Sequence, residues 1–245
     1  MPRRLLLATA FALAASAHAD ELSGEVALDA AHTSGNADTL NLGLGLQLEL
    51  DSGLWEQEFR GNVEYGREDG EVSQQLIRLT YGLEREIKPR LYGFANTEYF
   101  QDEIGAYKYG LYTGGGLGYR AALRPPLHWE FEFGPGYRRQ KTRNSLDDPS
   151  GEASRIVSEL AVRAHNDFEW DINEQVSAYN YSEVIYSAAD TYLWNETGLT
   201  AELFGGLAMR TSFRLDHHTD VPEGRGRTDT IARFGLVYDL GTSDP

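Results

Sequence analysis

The chain has 245 residues, of which 41% are apolar and 11% aromatic, which is too much for a disordered chain. It contains no cysteine, so disulfide frameworks, thiolate metal sites and thiol catalysis are excluded. Acidic residues outnumber basic ones by 38 to 22, giving a net charge of −16, and a nucleic acid, which binds a positive surface, is not an expected partner. Composition therefore indicates a folded protein without naming a function.

Residues 1–19 are organised like a secretory signal peptide. Arg3 and Arg4 precede an apolar run from Leu5 to Ala15, and Ala17-His18-Ala19 has the small-x-small form of a cleavage site. The apolar run is about half as long as the ~20 residues of a membrane-spanning helix. We therefore predict export, cleavage after Ala19 and a single domain over residues 20–245. The alternative is a buried N-terminal helix.

Alternation of apolar and polar residues dominates the rest of the chain, and this pattern is typical of strands with two different faces. Residues 40–50 carry leucine at every even position and Asn, Gly, Gln or Glu at every odd one. Similar alternating runs recur along the chain, the first over 55–65 and the last over 234–240, whereas the alternation is weak over 91–100 and 175–185. No later stretch approaches 18 consecutive apolar residues, so the sequence predicts no transmembrane helix.

The runs and their connections indicate a membrane barrel. We count about 12 strands of roughly 10–14 residues, long enough to cross a bilayer and longer than the mode of about 5–6 in soluble sheets. We therefore predict an all-β fold, a single up-and-down antiparallel transmembrane β-barrel, because such barrels alternate short turns with longer outer loops. A large soluble β-sandwich is the alternative. Short turns are predicted near 51–53, 87–89, 124–126, 171–173 and 204–206, and longer loops near 32–38, 66–73, 101–108, 141–154, 185–191 and 216–228.

Aromatic residues support a location in the outer membrane. Trp55, Trp129 and Trp170 fall near one end of the predicted strands and Tyr99 and Tyr137 near the other, as expected for two interfacial belts. The last strand, over 233–240, resembles the C-terminal signal that the barrel-assembly machinery recognises. Outer-membrane lipid, lipopolysaccharide and that machinery are therefore the expected partners, and the oligomeric state is left open.

Three short motifs carry a resemblance to a known family. They are Ser34-Gly35-Asn36, then Gly134-Pro135-Gly136-Tyr137-Arg138, then Thr228-Asp229-Thr230 followed by Leu236-Val237-Tyr238. By their order and spacing, residues 22–240 resemble the bacterial salt-induced outer membrane proteins, domain of unknown function 481. The resemblance implies an outer-membrane barrel linked to salt or osmotic response, and it brings no catalytic residues.

Motifs for catalysis or cofactor binding are missing from the sequence. There is no Gly-x-Ser-x-Gly elbow, no His-Glu-x-x-His and no phosphate-binding loop, so we expect no enzyme activity and no cofactor. Twelve-stranded barrels include an outer-membrane phospholipase, but no serine partner is identifiable for the histidines, of which His165 is expected to face inward. The loop Asp216-His217-His218-Thr219-Asp220 could ligate a divalent metal, yet a solvated loop is the more common role of such a run, and no metal site is predicted.

The glycines of residues 114–118 lie inside a strand pattern. We expect them to ease curvature of the barrel or to leave room for a large neighbour.

Charged residues on the polar face of the strands are the main functional candidates. Because an arginine or lysine at mid-depth on the lipid side costs about 2–4 kcal/mol, these residues are expected to face the lumen. They either pair and close the lumen or line a narrow wet pore, and an acidic excess in a pore favours cations. The candidate lumen-lining residues are Glu56, Glu58, Arg60, Glu64, Arg78, Glu130, Glu132, Arg138, Glu159, Arg163, Arg210 and Arg214.

Two functions remain open at this point, with a third less favoured. The first is a narrow passive channel for ions or small solutes. The second is a closed structural barrel that supports the integrity of the envelope and carries acidic outer loops. The third is a lipid-acting outer-membrane enzyme.

Overall fold

The computed structural model describes residues 21–33, 39–105, 107–142, 155–221 and 226–241. Over these residues, twelve antiparallel strands form one closed barrel in which sequence neighbours pair and the first strand pairs with the last. The predicted fold is therefore confirmed. The strands are β1 (Glu21–Thr33), β2 (Thr39–Ser52), β3 (Trp55–Glu68), β4 (Glu71–Lys88), β5 (Leu91–Asp102), β6 (Tyr107–Arg124), β7 (Leu127–Thr142), β8 (Ile156–Asn173), β9 (Val176–Ser187), β10 (Thr191–Phe204), β11 (Leu207–His218) and β12 (Thr228–Asp239).

Several predicted features lie outside the described residues. These are the signal peptide at 1–19, the Ser34-Gly35-Asn36 motif and most of the long loop 141–154. Within the described part of the chain, no helix is long and apolar enough to cross a membrane.

At one end of the barrel, which we call the turn end, neighbouring strands are joined by two-residue turns. Over the described ranges these turns are residues 53–54, 89–90, 125–126, 174–175 and 205–206. Gly205 and Gly206 have φ angles of 59° and 79°, the left-handed conformation that tight hairpin turns require. The turns predicted near 51–53, 87–89 and 171–173 begin two or three residues too early. The residues there continue the strands, because strand ends of an outer-membrane barrel extend beyond the apolar band and tolerate polar side chains.

The opposite end, which we call the outer end, has shorter connections than predicted at two positions. The expected loop 66–73 is a two-residue turn at Asp69 and Gly70, whose φ angles are 49° and 86°. The expected loop 185–191 is reduced to residues 188–190. In both cases the polar residues beside the turn belong to strands that extend past the apolar band, and β4, β6 and β8 reach 18 residues each.

The outer surface of the barrel is apolar. Leu160, Phe133 and Tyr186 are 81%, 64% and 61% exposed, which would be unfavourable in water and is expected against lipid. Exposed aromatic side chains lie at both ends of this band, with Trp170 near the turn end and Tyr137 near the outer end. The strands therefore present a lipid-facing surface with interfacial belts.

Two places in the wall depend on glycine. A Cβ atom at Gly116 would lie 2.2 Å from the Phe133 carbonyl oxygen, so β6 and β7 can approach closely only without side chains there. A Cβ atom at Gly118 would lie 2.1 Å from the ring of Tyr92, which packs flat against this strand. The glycine run of residues 114–118 thus admits both a neighbouring strand and a large side chain.

The barrel closes along a short seam. Over the described residues, β1 and β12 pair across only five positions, from Glu25 opposite Asp239 to Asp29 opposite Gly235. On its other edge β1 pairs with β2 across thirteen positions, from Glu21 to Thr33. The strand β1 is therefore paired with β12 over fewer positions than with β2.

Candidate site in the barrel lumen

The structure brings all twelve candidate residues into contacts on the inner face of the barrel. Strand alternation sends the apolar side chains outward to lipid and the charged ones inward, where acids and bases meet. Among the described residues, each candidate makes at least one ion pair within the lumen. The pairs are Glu56–Arg120, Glu58–Arg60, Glu64–Arg233, Arg78–Glu98, Glu130–Arg120, Glu132–Arg163, Arg138–Glu159, Arg210–Glu25 and Arg214–Asp216.

The first group of contacts, the Arg120 cluster, consists of Arg120, Glu56, Glu84, Glu130 and Tyr92. The Arg120 Nε atom lies 2.8 Å from Glu130, and its Nη2 atom lies 2.8 Å from Glu84 and 3.1 Å from Glu56. Its guanidinium carbon is 4.5 Å from the centre of the Tyr92 ring, and the Tyr92 hydroxyl donates to Glu130 over 2.8 Å. The cluster thus connects β6 to β3, although these two strands do not pair with each other.

The second group, the Arg163 cluster, consists of Arg163, Glu132 and Glu183. Arg163 donates from Nη1 to Glu132 and from Nε to Glu183. All three side chains are about nine-tenths buried, and the Trp194 indole also donates to Glu183 over 3.2 Å. His165 faces inward beside this cluster, with Nδ1 3.8 Å from a Glu183 oxygen. A buried arginine between two carboxylates fixes β7, β8 and β9 relative to one another.

Two further arginines reach across the seam between β1 and β12. Arg210 on β11 donates two hydrogen bonds to Glu25 on β1, at 2.7 and 2.8 Å. Arg233 on β12 lies 2.5 Å from Glu64 on β3 and 3.6 Å from Glu196 on β10. Side chains in the lumen therefore reinforce the contact for which the backbone supplies few hydrogen bonds.

Two cavities in the described part of the lumen share no lining residue. A cavity of about 760 Å³ opens at the outer end, and a cavity of about 640 Å³ opens at the turn end. The outer cavity is lined by six carboxylates and four arginines, and the other by four carboxylates and one arginine. The Arg120 and Arg163 clusters line neither cavity. Both entrances thus have an acidic excess, and the paired side chains of the two clusters occupy other parts of the lumen.

At the outer end, Asp190, in the connection between β9 and β10, is hydrogen-bonded to β7, to β11 and to the segment that follows β11. Its carboxylate lies 2.6 Å from His218 Nδ1 and accepts from the Asp220 amide over 3.0 Å, while its backbone carbonyl accepts from Arg138 over 2.7 Å. Burial alone would raise the pKa of Asp190, but these hydrogen bonds and the Arg138 charge hold it below its ordinary value. Asp190 is therefore a charged anchor for the outer rim.

The structure separates the residues that were considered as metal ligands. His217 Nδ1 is 2.8 Å from the Thr228 hydroxyl, His218 contacts Asp190, and Asp216 accepts two hydrogen bonds from Arg214. The three side chains therefore do not converge on a common point.

One acidic group among the described residues has the spacing of a cation site. Carboxylate oxygens of Glu49, Asp51 and Glu56 lie within 4.8 Å of one another near the turn end. Glu56 already accepts a hydrogen bond from Arg120, so at least one of the three carboxylates has a positive partner.

Sequence reasoning missed several side chains of the lumen, three of which make contacts described above. Glu98 pairs with Arg78, Glu183 pairs with Arg163, and Tyr92 belongs to the Arg120 cluster. All three lie on β5 or β9, whose alternation is weak in the sequence. Counting alternate positions along β5 and β9 from the turns at 89–90 and 174–175 would have identified all three as inward-facing.

These features define the class of protein: a β-barrel of the outer-membrane type, with an apolar band outside and a charged lumen inside. Within this class, the chain belongs to the family DUF481, described as "Protein of unknown function", whose sequence profile matches residues 26–240. The family resemblance derived from the sequence motifs is therefore confirmed.

Solved structures support the fold. The chain is similar to the NanC porin with 11% sequence identity and a TM-score of 0.54, and the match covers 89% of this chain and 100% of the porin. The translocator domain of the autotransporter NalP from Neisseria meningitidis is 12% identical with a TM-score of 0.42, covering 89% of this chain and 87% of that one. Among curated proteins, the comparison finds no match. At these identities the likeness concerns the fold alone.

Proposed function

We propose that the protein is a narrow passive channel of the outer membrane that conducts ions or small solutes and prefers cations. The observation that carries this proposal is the pair of cavities that enter the lumen from opposite ends, each with more carboxylates than arginines in its lining. Carboxylates around a pore lower the free energy of a cation and raise that of an anion. The name of the similar NanC porin agrees with this class of function.

The proposed location is the outer membrane, reached with the signal peptide predicted at residues 1–19. The lipid-facing band and its aromatic belts support this location. Outer-membrane lipid, lipopolysaccharide and, during biogenesis, the barrel-assembly machinery are the proposed partners. The link to salt or osmotic response stays a prediction, and a catalytic role is not part of the proposal.

The conductance is expected to be small. Eight-stranded barrels are filled by side chains and barrels of about 16–18 strands enclose open channels, so twelve strands leave limited space. Here the Arg120 and Arg163 clusters occupy part of that space, and a solute has to pass beside them. Selectivity is therefore expected to depend on charge and on a diameter close to that of a small hydrated ion.

The test is single-channel recording of the refolded protein in a planar bilayer under a KCl gradient. We expect small discrete steps and a reversal potential that indicates cation preference. The double variant Glu49→Gln/Glu202→Gln removes two carboxylates from the lining of the turn-end cavity, so its cation preference should be lower. These two are better choices than Glu56 and Glu132, whose neutralisation would leave Arg120 and Arg163 with fewer partners.

The matched control is Glu174→Gln, which removes one carboxylate charge from an exposed turn outside both cavities. Its reversal potential should equal that of the unmodified protein. A silent bilayer, with heat-modifiable migration on gels showing that the barrel is folded, would contradict the channel. An equal shift in Glu174→Gln and in the double variant would contradict the role of the cavity lining.

The second candidate function is a closed structural barrel that supports the envelope. The observation in its favour is that arginines join strands that do not pair with each other, as Arg120 does for β6 and β3 and Arg210 does for β11 and β1. In that case Arg120→Ala should lower the unfolding temperature and leave the bilayer silent. If the protein is a channel, the same variant should conduct more than the unmodified protein, because a side chain in the lumen has been shortened.

A further inference from the structure

One part of the lipid-facing surface is polar. We call it the polar ladder: Asn166 on β8, Asn180 and Ser182 on β9, and Asn195 and Thr197 on β10. Their orientation follows from the register, since directly opposite residues share a face. Asn166 is opposite Phe131 and Thr197 is opposite Phe213, and these two phenylalanines are 39% and 51% exposed on the outer surface.

The polar ladder lies at mid-depth in the apolar band. Toward the turn end it is followed by Trp170 and Leu199, which are 44% and 46% exposed. Toward the outer end it is followed by Val162 and Leu160, which are 38% and 81% exposed. Apolar side chains therefore flank it on both sides along the strands, and the polar ladder is not part of either headgroup region.

Hydrogen bonds connect the members of the polar ladder across three strands. Asn180 Nδ2 donates to the Thr197 hydroxyl over 2.7 Å, and Asn195 Nδ2 donates to the Ser182 hydroxyl over 2.7 Å. Ser182 in turn donates to the Asn180 side-chain oxygen over 3.0 Å. At the β7 side, the Trp129 indole donates to Asn166 over 2.8 Å.

Further hydrogen bonds run from Asn166 Nδ2 to Asn180, from Asn195 Nδ2 to the Tyr181 carbonyl over 3.2 Å and from the Thr197 hydroxyl to Asn195 over 3.3 Å. Over the described residues, these internal bonds leave one N–H of Asn180 and one acceptor position each on the side-chain oxygens of Asn166 and Asn195. An asparagine side chain carries two N–H donors and an oxygen that accepts two hydrogen bonds. Acyl chains can neither donate nor accept, so polar groups that face them cost free energy unless another protein surface covers them. An uncharged polar strip at this depth therefore points to a protein partner within the membrane.

We propose that the polar ladder is the surface through which two copies of this chain associate in the membrane. The strip carries no formal charge, and its remaining hydrogen-bonding capacity includes a donor on Asn180 and acceptors on Asn166 and Asn195. Such a surface is complementary to itself when a two-fold axis brings two copies together, as an isologous interface requires. A lipopolysaccharide headgroup, by contrast, would contact the rim of the barrel and not its mid-depth.

The test uses cysteine cross-linking, which the absence of native cysteine makes specific. Val184→Cys places a thiol beside the polar ladder on β9, on the same outward face as Ser182. Leu46→Cys is the matched control at mid-strand on the lipid-facing side of β2, opposite Val26 and Gly61. The full-length mature protein is refolded into phosphatidylcholine vesicles, treated with a short bismaleimide and analysed by gel electrophoresis. We expect a dimer band with Val184→Cys that is about tenfold stronger than with Leu46→Cys.

A second set of variants tests the amides themselves. Asn180→Leu/Asn195→Leu in the Val184→Cys background should reduce the dimer band by about tenfold, because the hydrogen bonds between copies are lost. Heat-modifiable migration should stay unchanged, since leucine is well suited to a lipid-facing position. Equal cross-linking of Val184→Cys and Leu46→Cys, no dimer with either, or a dimer that persists in the leucine background would each overturn the proposal. So would cross-linking in native outer membranes exclusively to a different protein.

Discussion

Two walls of the barrel use the same strand alternation in different ways. In the wall formed by β1–β3, the outward side chains are large and apolar, with Leu28, Leu44 and Val63 about half exposed. In the wall formed by β8–β10, the middle of the outward face is the polar ladder, and the inward face carries buried Arg163 and Glu183. Period-two alternation therefore defines which residues share a face, whereas polarity alone does not define which face is inside.

The two walls also contribute side chains of different size to the lumen. The β2 strand presents Gly43 and Gly45 to the interior, where a Cβ atom would meet Asp29 and Asn62 side chains within about 3.2 Å. The opposite wall presents Arg163 and the large ring of Tyr179. The two walls thus differ in the size of their inward groups, with glycines on β2 and large side chains on β8 and β9.

The largest effect is expected from removing the Arg163 charge in the wall formed by β8–β10. Arg163→Ala leaves Glu132 and Glu183 buried with one fewer positive partner each, and breaking such a group costs about 3–5 kcal/mol of the free energy of unfolding. The measurement is the unfolding temperature, read from heat-modifiable gel migration. Arg139→Ala is the control, because Arg139 is exposed on the other face of β7. A melting temperature of Arg163→Ala equal to that of the control would show that the cluster does not stabilise the wall.

A smaller effect is expected from placing a charge on the outward face of the wall formed by β1–β3. Leu44→Arg puts a guanidinium at mid-depth in the apolar band, at a cost of about 2–4 kcal/mol. Leu22→Arg, near the beginning of β1, lies close to the interface and should cost about 0–1 kcal/mol. Urea unfolding in lipid vesicles, followed by tryptophan fluorescence, compares the two variants. If they are equally stable, the outer face of this wall is not in contact with the hydrocarbon core.

The smallest effect concerns the fit of one side chain in the lumen. Gly118→Ala adds a Cβ atom where Tyr92 packs, and such overpacking costs about 1–3 kcal/mol. Gly82→Ala is the matched variant on β4, because its Cβ atom would find its nearest neighbour, Glu58, at an ordinary 3.8 Å. The same urea titration should therefore separate them, with Gly82→Ala close to the unmodified protein. Equal midpoints would mean that Tyr92 moves aside freely.

The sequence was sufficient for the fold and for most of the inward charges, but it did not identify Glu98 and Glu183 or show how the charges pair. Leucine at every second position of β2 determines its phase without ambiguity. On β5 and β9 the phase is obscured because Tyr92, Phe94 and Tyr179 point inward while Thr97, Asn180 and Ser182 point outward, the reverse of the usual distribution. Pairing depends on stagger between strands, which brings Arg120 to Glu56 across 64 positions of the chain, and no local pattern encodes that distance.

The short seam between β1 and β12 has a mechanical consequence. A force that pulls on the C-terminus from the turn end loads the five pairs between Glu25–Asp29 and Gly235–Asp239 before any other contact of β1. Once these pairs separate, the Arg210–Glu25 and Arg233–Glu64 bridges still cross the gap. The barrel should therefore unravel from its last strand, hairpin by hairpin, and the early rupture event in a pulling trace should occur at lower force when Arg210 is replaced by alanine.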